Sequence, residues 1–269
     1  MGALPVRTRL AWLAAVTTTV VLAGLVTVSS RAQAAEATVG LGTVASYSVL
    51  GGQTVTNTGP STLGGDLGVS PGTAITGFPP GTVAGATHAG DAAAAQAQAD
   101  LVIAFKDAAG RAPTASVAGD LVGRTLTAGV YNSTSTLALT GAVTLDAKGD
   151  PNAVFIFQIA SALTTGSASH VNLINGAQPC NVFWELDTAT LGTHSTFVGT
   201  ILALTSISVQ TGTTVEGRAL ARNGQVSLDT NTFTTPACNT SATTTTTAAP
   251  TTTSVPAAKP ITQQPSFTG

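Results

Sequence analysis

The chain has 269 residues, room for one or two domains, and only 8% of them are charged and 4% aromatic. That is too apolar for a disordered chain and too poor in acids, bases and histidines for a typical soluble enzyme. Abundant Gly, Thr, Ala and Val with so little charge suit stacked short strands that expose small side chains.

Arg7 and Arg9 precede an uncharged run from Leu10 to about Val28, and Ala32-Gln33-Ala34 follows as an A-x-A cleavage site. This predicts a secretory signal over residues 1–34 and a mature chain beginning at Ala35. An uncleaved membrane anchor is the alternative, since the run approaches spanning length. Losing Arg7, Arg9 and Arg31 from the ten basic residues leaves seven against twelve acidic ones, a net of −5. That balance argues against nucleic acid or anionic lipid as a partner, and no membrane insertion of the mature chain is expected. Export would also carry Cys180 and Cys238 into an oxidising compartment, which favours pairing them over leaving two free thiols. The bond would close a loop of about 58 residues, worth about 4 kcal/mol in the loop-entropy account.

From Glu36 to about Ser70, short alternating runs such as Tyr47-Ser48-Val49-Leu50 and Thr54-Val55-Thr56 are broken by Gly-Gly and Gly-Pro turns. They predict strands forming the first coil or two of a solenoid. Residues 73–90 read as a Gly/Pro-rich connector. A single helix is expected over about 90–109: alanine dominates, Asp91 suits the N-cap and Gly110 a C-terminal stop. Ala94, Ala97, Leu101, Phe105 and Ala108 form its narrow apolar stripe, which suits lying close along a flat surface. Strands resume after Arg111, and the turn before Phe155 is written again before Phe183.

The run from Phe183 to Pro236 divides into three rows of 18 residues. Phe197, Val215 and Phe233 fall in one column, Thr196, Thr214 and Thr232 in the next, and Gly199 sits above Gly217. Rows of this length with apolar–polar alternation predict a β-solenoid in which neighbouring coils share one core. A one-residue slip blurs the third row, where Val226 and Leu228 should match Ile207 and Val209. Alternation puts the large column inward and the threonine column outward, with His194, Gly212 and Thr230 expected on the same outward side. Beyond Cys238, residues 239–269 are rich in Thr and Pro without apolar period and are expected to form a disordered tail of the kind that serves as a cell-surface stalk.

No catalytic constellation emerges. His88, His170 and His194 are scattered, although His170 and His194 occupy nearby columns of neighbouring coils. Glu185 and Asp187 share one strand face but lack the further acids and aromatic platforms of a glycosidase groove. Neither enzyme activity nor a cofactor or metal is expected.

In order along the chain, LGTVASYSVL, GDLGVSPG, the helix ending DAAGR, GDLVGRTLTAGVY, NAVFIFQIASALTTGSA, NVFWEL, STFVGTILA and VEGRALA resemble the microbial ice-binding protein family of adhesive β-solenoids. The resemblance covers about Leu41 to Cys238. It implies a mostly β fold: an irregular right-handed β-solenoid of triangular section, with one long helix along its side and the N-terminal strands packed beside the last coil. It also implies binding to an ice crystal surface through one flat face, without catalysis, in a secreted protein expected to be a monomer. Thr193, Thr196, Thr211, Thr214, Thr230 and Thr232 are the residues expected on that face. Thr211-Gly212-Thr213-Thr214 fits the family's loose Thr-Ala/Gly-x-Thr/Asn pattern, and its neighbours fit it in part. Two alternatives remain: a cell-surface or extracellular adhesin of the same fold binding glycan or protein, and a structural envelope protein.

Overall fold

The structure, a computed structural model, describes residues 36–236 together with Cys238 and Gly269. The expected leader over 1–34 and nearly all of the expected tail over 239–269 lie outside the described residues. Every strand pairing is parallel, and the strands stack on three faces. Phe155–Thr165 and Val182–Leu191 each run continuously from the first face onto the second. Thr196–Ala203 and Thr214–Ala221 run from the third face onto the first. The bend between third and first faces needs a residue without a side chain: a Cβ on Gly217 would lie 1.9 Å from the Gly199 carbonyl oxygen. The Gly199/Gly217 column is therefore a steric requirement of close coil stacking.

The 18-residue rows are the coils. Thr196, Thr214 and Thr232 align, as do Phe197, Val215 and Phe233. On the second face Ile207 aligns with Val226, an offset of 19, which is the one-residue slip seen in the sequence. Chain order and stacking order then part company. Val49 pairs beside Ala219, Val55 beside Val226 and Thr62 beside Thr232, so the N-terminal strands continue the stack after its last C-terminal coil. Residues 73–90 are more than a connector: Ala74–Thr76, Thr82–Val83 and Thr87–Ala89 form the terminal coil. Gly and Pro at its corners hide it from a reading of strand propensity. The duplicated turn is offset by one residue, Phe155 aligning with Val182, because a short 3-10 turn at Pro179–Asn181 takes up the difference.

Inward residues fill the triangular lumen, where Tyr131, Phe157, Trp184 and Phe197 stack with ring centroids 5.4, 4.0 and 5.2 Å apart. A second apolar layer lies between the first face and the helix α1 (Ala92–Gly110). Asp91 caps α1, accepting a hydrogen bond from the Ala94 amide at 2.9 Å, and Gly90 at φ 69° sets the start two residues later than expected. Ala94, Ala97, Leu101, Ala104 and Ala108 are buried. Phe105, expected in that stripe, sits at the rim. Ala104 takes the inward position and lets the helix approach the sheet, while the Arg222 guanidinium covers the Phe105 ring at 5.0 Å. Cys180 and Cys238 are joined by a disulfide with Cα atoms 5.6 Å apart.

Candidate functional site

With α1 on the first face, the second and third faces are the open ones. The third carries the threonine column expected from the sequence and extends it. Thr82, Thr62, Thr232, Thr214 and Thr196 stand in register, all exposed, followed by His170 and Ala142. The Thr62 and Thr232 hydroxyls are 3.4 Å apart. The same face presents Glu216 and Asn172, both exposed. His170 lines up with Thr196, so His170 and His194 do not share a rung position.

Thr193, Thr211 and Thr230 do not join that column. They lie in the turns between second and third faces, where His194 (φ 55°), Gly212 (φ 71°) and Thr230 (φ 53°) adopt left-handed backbone. Alternation stops at such a corner, which corrects the expectation that His194, Gly212 and Thr230 continue the outward side of the strand. Beneath the turns runs a buried polar file, Ser169, Ser195, Thr213, Asn231 and Ser61. Its members bond to corner backbone: Thr213 donates to the Gly192 carbonyl at 2.8 Å, and Asn231 to that of Gln210 at 2.8 Å. These bonds hold the corner rigid. Thr193 and Thr211, with Ser208, Ser227 and Asp229, line a shallow depression of about 270 Å³ at the edge of the second face.

The second face holds the residues that the sequence reading missed. Ala138, Thr164, Thr190, Ser208, Ser227, Thr56 and Thr76 occupy successive outward rungs in register. At about 4.8 Å per rung they span about 29 Å. Thr188, Ala162, Thr54 and Ala74 stand in the adjacent outward column. No charged residue interrupts this ladder. The acids lie at its margins, where Asp187 and Asp229 accept hydrogen bonds from Thr205 and Thr211, and at its end, where Asp120 accepts from Thr140. The signal was present in Thr54-Val55-Thr56, Ile207-Ser208-Val209 and Val226-Ser227-Leu228, each a small polar residue between or beside buried apolar ones.

Glu185 and Asp187, the pair considered for acid–base chemistry, meet different surroundings. Asp187 is tied to Thr205. Glu185 sits half-buried on the helix side, and burial pushes its carboxyl from 4.5 up to about 7. An acid that holds its proton more tightly when folded costs nothing below pH 4.5, and its penalty grows as pH rises to about 7. The protein is thus expected to be less stable at pH 8 than at pH 5, by about 1 kcal/mol after allowing for solvent at this group. Glu185→Gln should remove that slope in urea melts at the two pH values; an unchanged slope would clear Glu185 of the effect.

Comparison with known proteins places this geometry. Residues 49–234 match the family model described as ice-binding-like. An ice-binding protein of Nostoc sp. (strain HG1) is 53% identical over 194 residues, covering 71% of this chain and 72% of the relative. The crystal structure of an ice-binding protein from an Antarctic biological consortium matches with a TM-score of 0.73 at 47% identity, over 74% of this chain and 92% of that one. That of the Antarctic ascomycete Antarctomyces psychrotrophicus matches with a TM-score of 0.71 at 41% identity, over 72% and 97%. Sequence and fold agree over most of the described domain: the chain belongs to the ice-binding-like family.

Proposed function

We propose that the chain is a secreted ice-binding protein, without catalytic activity, that adsorbs to ice as a monomer through its second face. The observation that carries the reading is the uncharged ladder of Ala, Thr and Ser on a parallel stack whose adjoining corner is held by buried hydrogen bonds. Ser and Thr have few rotamers to lose on binding, and their backbone spacing is set by the coils, so adsorption costs little ordering. Hydroxyls at a regular repeat hold water in a fixed array, while methyl groups limit competing hydration. Thr193 and Thr211 would border the contact. The leader-like residues before Ala35 and the disulfide support an extracellular setting, and no helix of the described residues is long and apolar enough to cross a membrane.

The third face offers a second reading, favoured by its five threonines in unbroken register, in which Thr196, Thr214 and Thr232 make the contact. Glu216, Asn172 and His170 on that face count against it, since bulky, strongly hydrated groups disturb a flat water lattice. Two substitutions separate the faces. Ser208→Tyr should abolish ice shaping and partitioning into growing ice while leaving the melting temperature close to wild type, the site being outward. Thr214→Tyr should leave both activities. The reverse pattern moves the contact to the third face. A wild-type protein that neither shapes ice nor partitions into it ends the ice-binding reading.

A further inference from the structure

A cavity of about 230 Å³ opens beside the start of α1, away from both open faces, lined among others by Thr43, Ser46, Tyr47, Asp66, His88 and Gln96. Residues far apart in sequence build it: the 3-10 turn Gly42–Ser46, two neighbouring coils and the helix. Its walls are fixed. Asp100 accepts from the Thr43 amide and hydroxyl, each at 2.7 Å, and from Gln96 at 3.0 Å. His88 bonds Asp91 at 2.8 Å and leans on Tyr47 with centroids 5.8 Å apart.

Two polar groups there are left over. Tyr47 is 97% buried, being 3% exposed, yet its hydroxyl has no hydrogen-bond partner among the described residues. Asp66 uses one carboxylate oxygen to accept from the Ala86 amide at 2.8 Å, and the other has no partner among them. Neither oxygen is a buried orphan: both open into the cavity, where a ligand carrying the matching groups would replace the solvent that meets them. No lysine or arginine lines the cavity. The positive end of α1 is already answered by Asp91, so it does not set the sign of the field. The carboxylates of Asp66 and Asp91 make the surroundings negative, and after burial, the larger cause, they help push the Tyr47 phenol up to about 12.

We propose that this cavity binds a small hydroxylated ammonium compound, of the amino-sugar or amino-alcohol class. Its ammonium would sit against the free oxygen of Asp66, and its hydroxyls would meet the Tyr47 hydroxyl, Gln96 and Ser46. A carboxylate supplies a charge-assisted hydrogen bond to the ammonium. The volume is that of about seven or eight waters, which suits a single sugar ring.

The test titrates the purified protein above freezing with glucosamine at neutral pH, with glucose as the uncharged control, following backbone amide shifts around Tyr47, Asp66 and His88. Glucosamine should shift these amides saturably and glucose should bind at least about tenfold more weakly. Asp66→Asn, which keeps the acceptor for Ala86, should weaken glucosamine by about tenfold, and Tyr47→Phe, which keeps the ring, by about threefold. Ice adsorption should stay unchanged in both variants, so this result stands or falls apart from the ice reading. No shift with glucosamine, or glucose binding equally well, overturns the proposal. Should Asp66→Asn melt early, Tyr47→Phe carries the test, and unchanged affinity there also overturns it.

Discussion

Trp184→Ala is expected to lower the stability of the solenoid by about 3–5 kcal/mol. Trp184 is fully buried, stacked at 4.0 Å on Phe157 with the planes 9° apart, and tilted against Phe197 at 5.2 Å. Its indole Nε1–H donates to the Val198 carbonyl at 3.0 Å, so removal leaves a cavity and also a buried acceptor without its donor. Neighbouring rungs cannot close over the gap, because strand spacing is set by the parallel ladders on either side. A stack in which each coil touches only its neighbours divides where a middle coil weakens. Urea unfolding should therefore show an earlier midpoint and a shallower or split transition. A loss below about 1 kcal/mol would mean that the rungs do relax into the space.

Breaking the disulfide should be nearly as costly. Cys180 and Cys238 are 58 residues apart in sequence and enclose the last three C-terminal strand rungs. Freed of the bond, the unfolded chain gains loop entropy worth about 4 kcal/mol. The double substitution Cys180→Ser with Cys238→Ser should lower the unfolding free energy by about that amount, and reductant should reproduce the drop in wild type but leave the variant unchanged. A loss under about 1 kcal/mol would show that the end of the chain is held mainly by its rung pairing. Lying at the junction of first and third faces, the staple is remote from the second face. Ice adsorption measured well below the lowered melting point should therefore persist in the variant.

What could be read from the sequence alone was whatever repeats locally. Alternation with a period of two shows which side of a strand is buried, and an 18-residue row shows which residues stack, so the Thr196/Thr214/Thr232 rung and the Phe197/Val215/Phe233 core were legible before any coordinates. Asp91 was legible because a cap acts on amides three residues away. The family resemblance supplied what periodicity could not, the return of the N-terminal strands to the far end of the stack. Val49 and Ala219 are 170 residues apart, and nothing in either stretch names the other. Tertiary structure alone decided the rest of the candidate face. His194 and Thr230 look like strand residues until the left-handed corner turns them off it, and Ser208, Ser227, Thr56 and Thr76 look unrelated until the slip of one residue and the discontinuous order bring them onto one line. Phe105 fits a helical stripe, but a flat sheet accepts the smaller Ala104 at the contact and leaves the ring to Arg222. Local rules act through backbone geometry within a few residues; a flat face is a property of coils stacked from distant parts of the chain, and only the packed molecule determines which side chains share it.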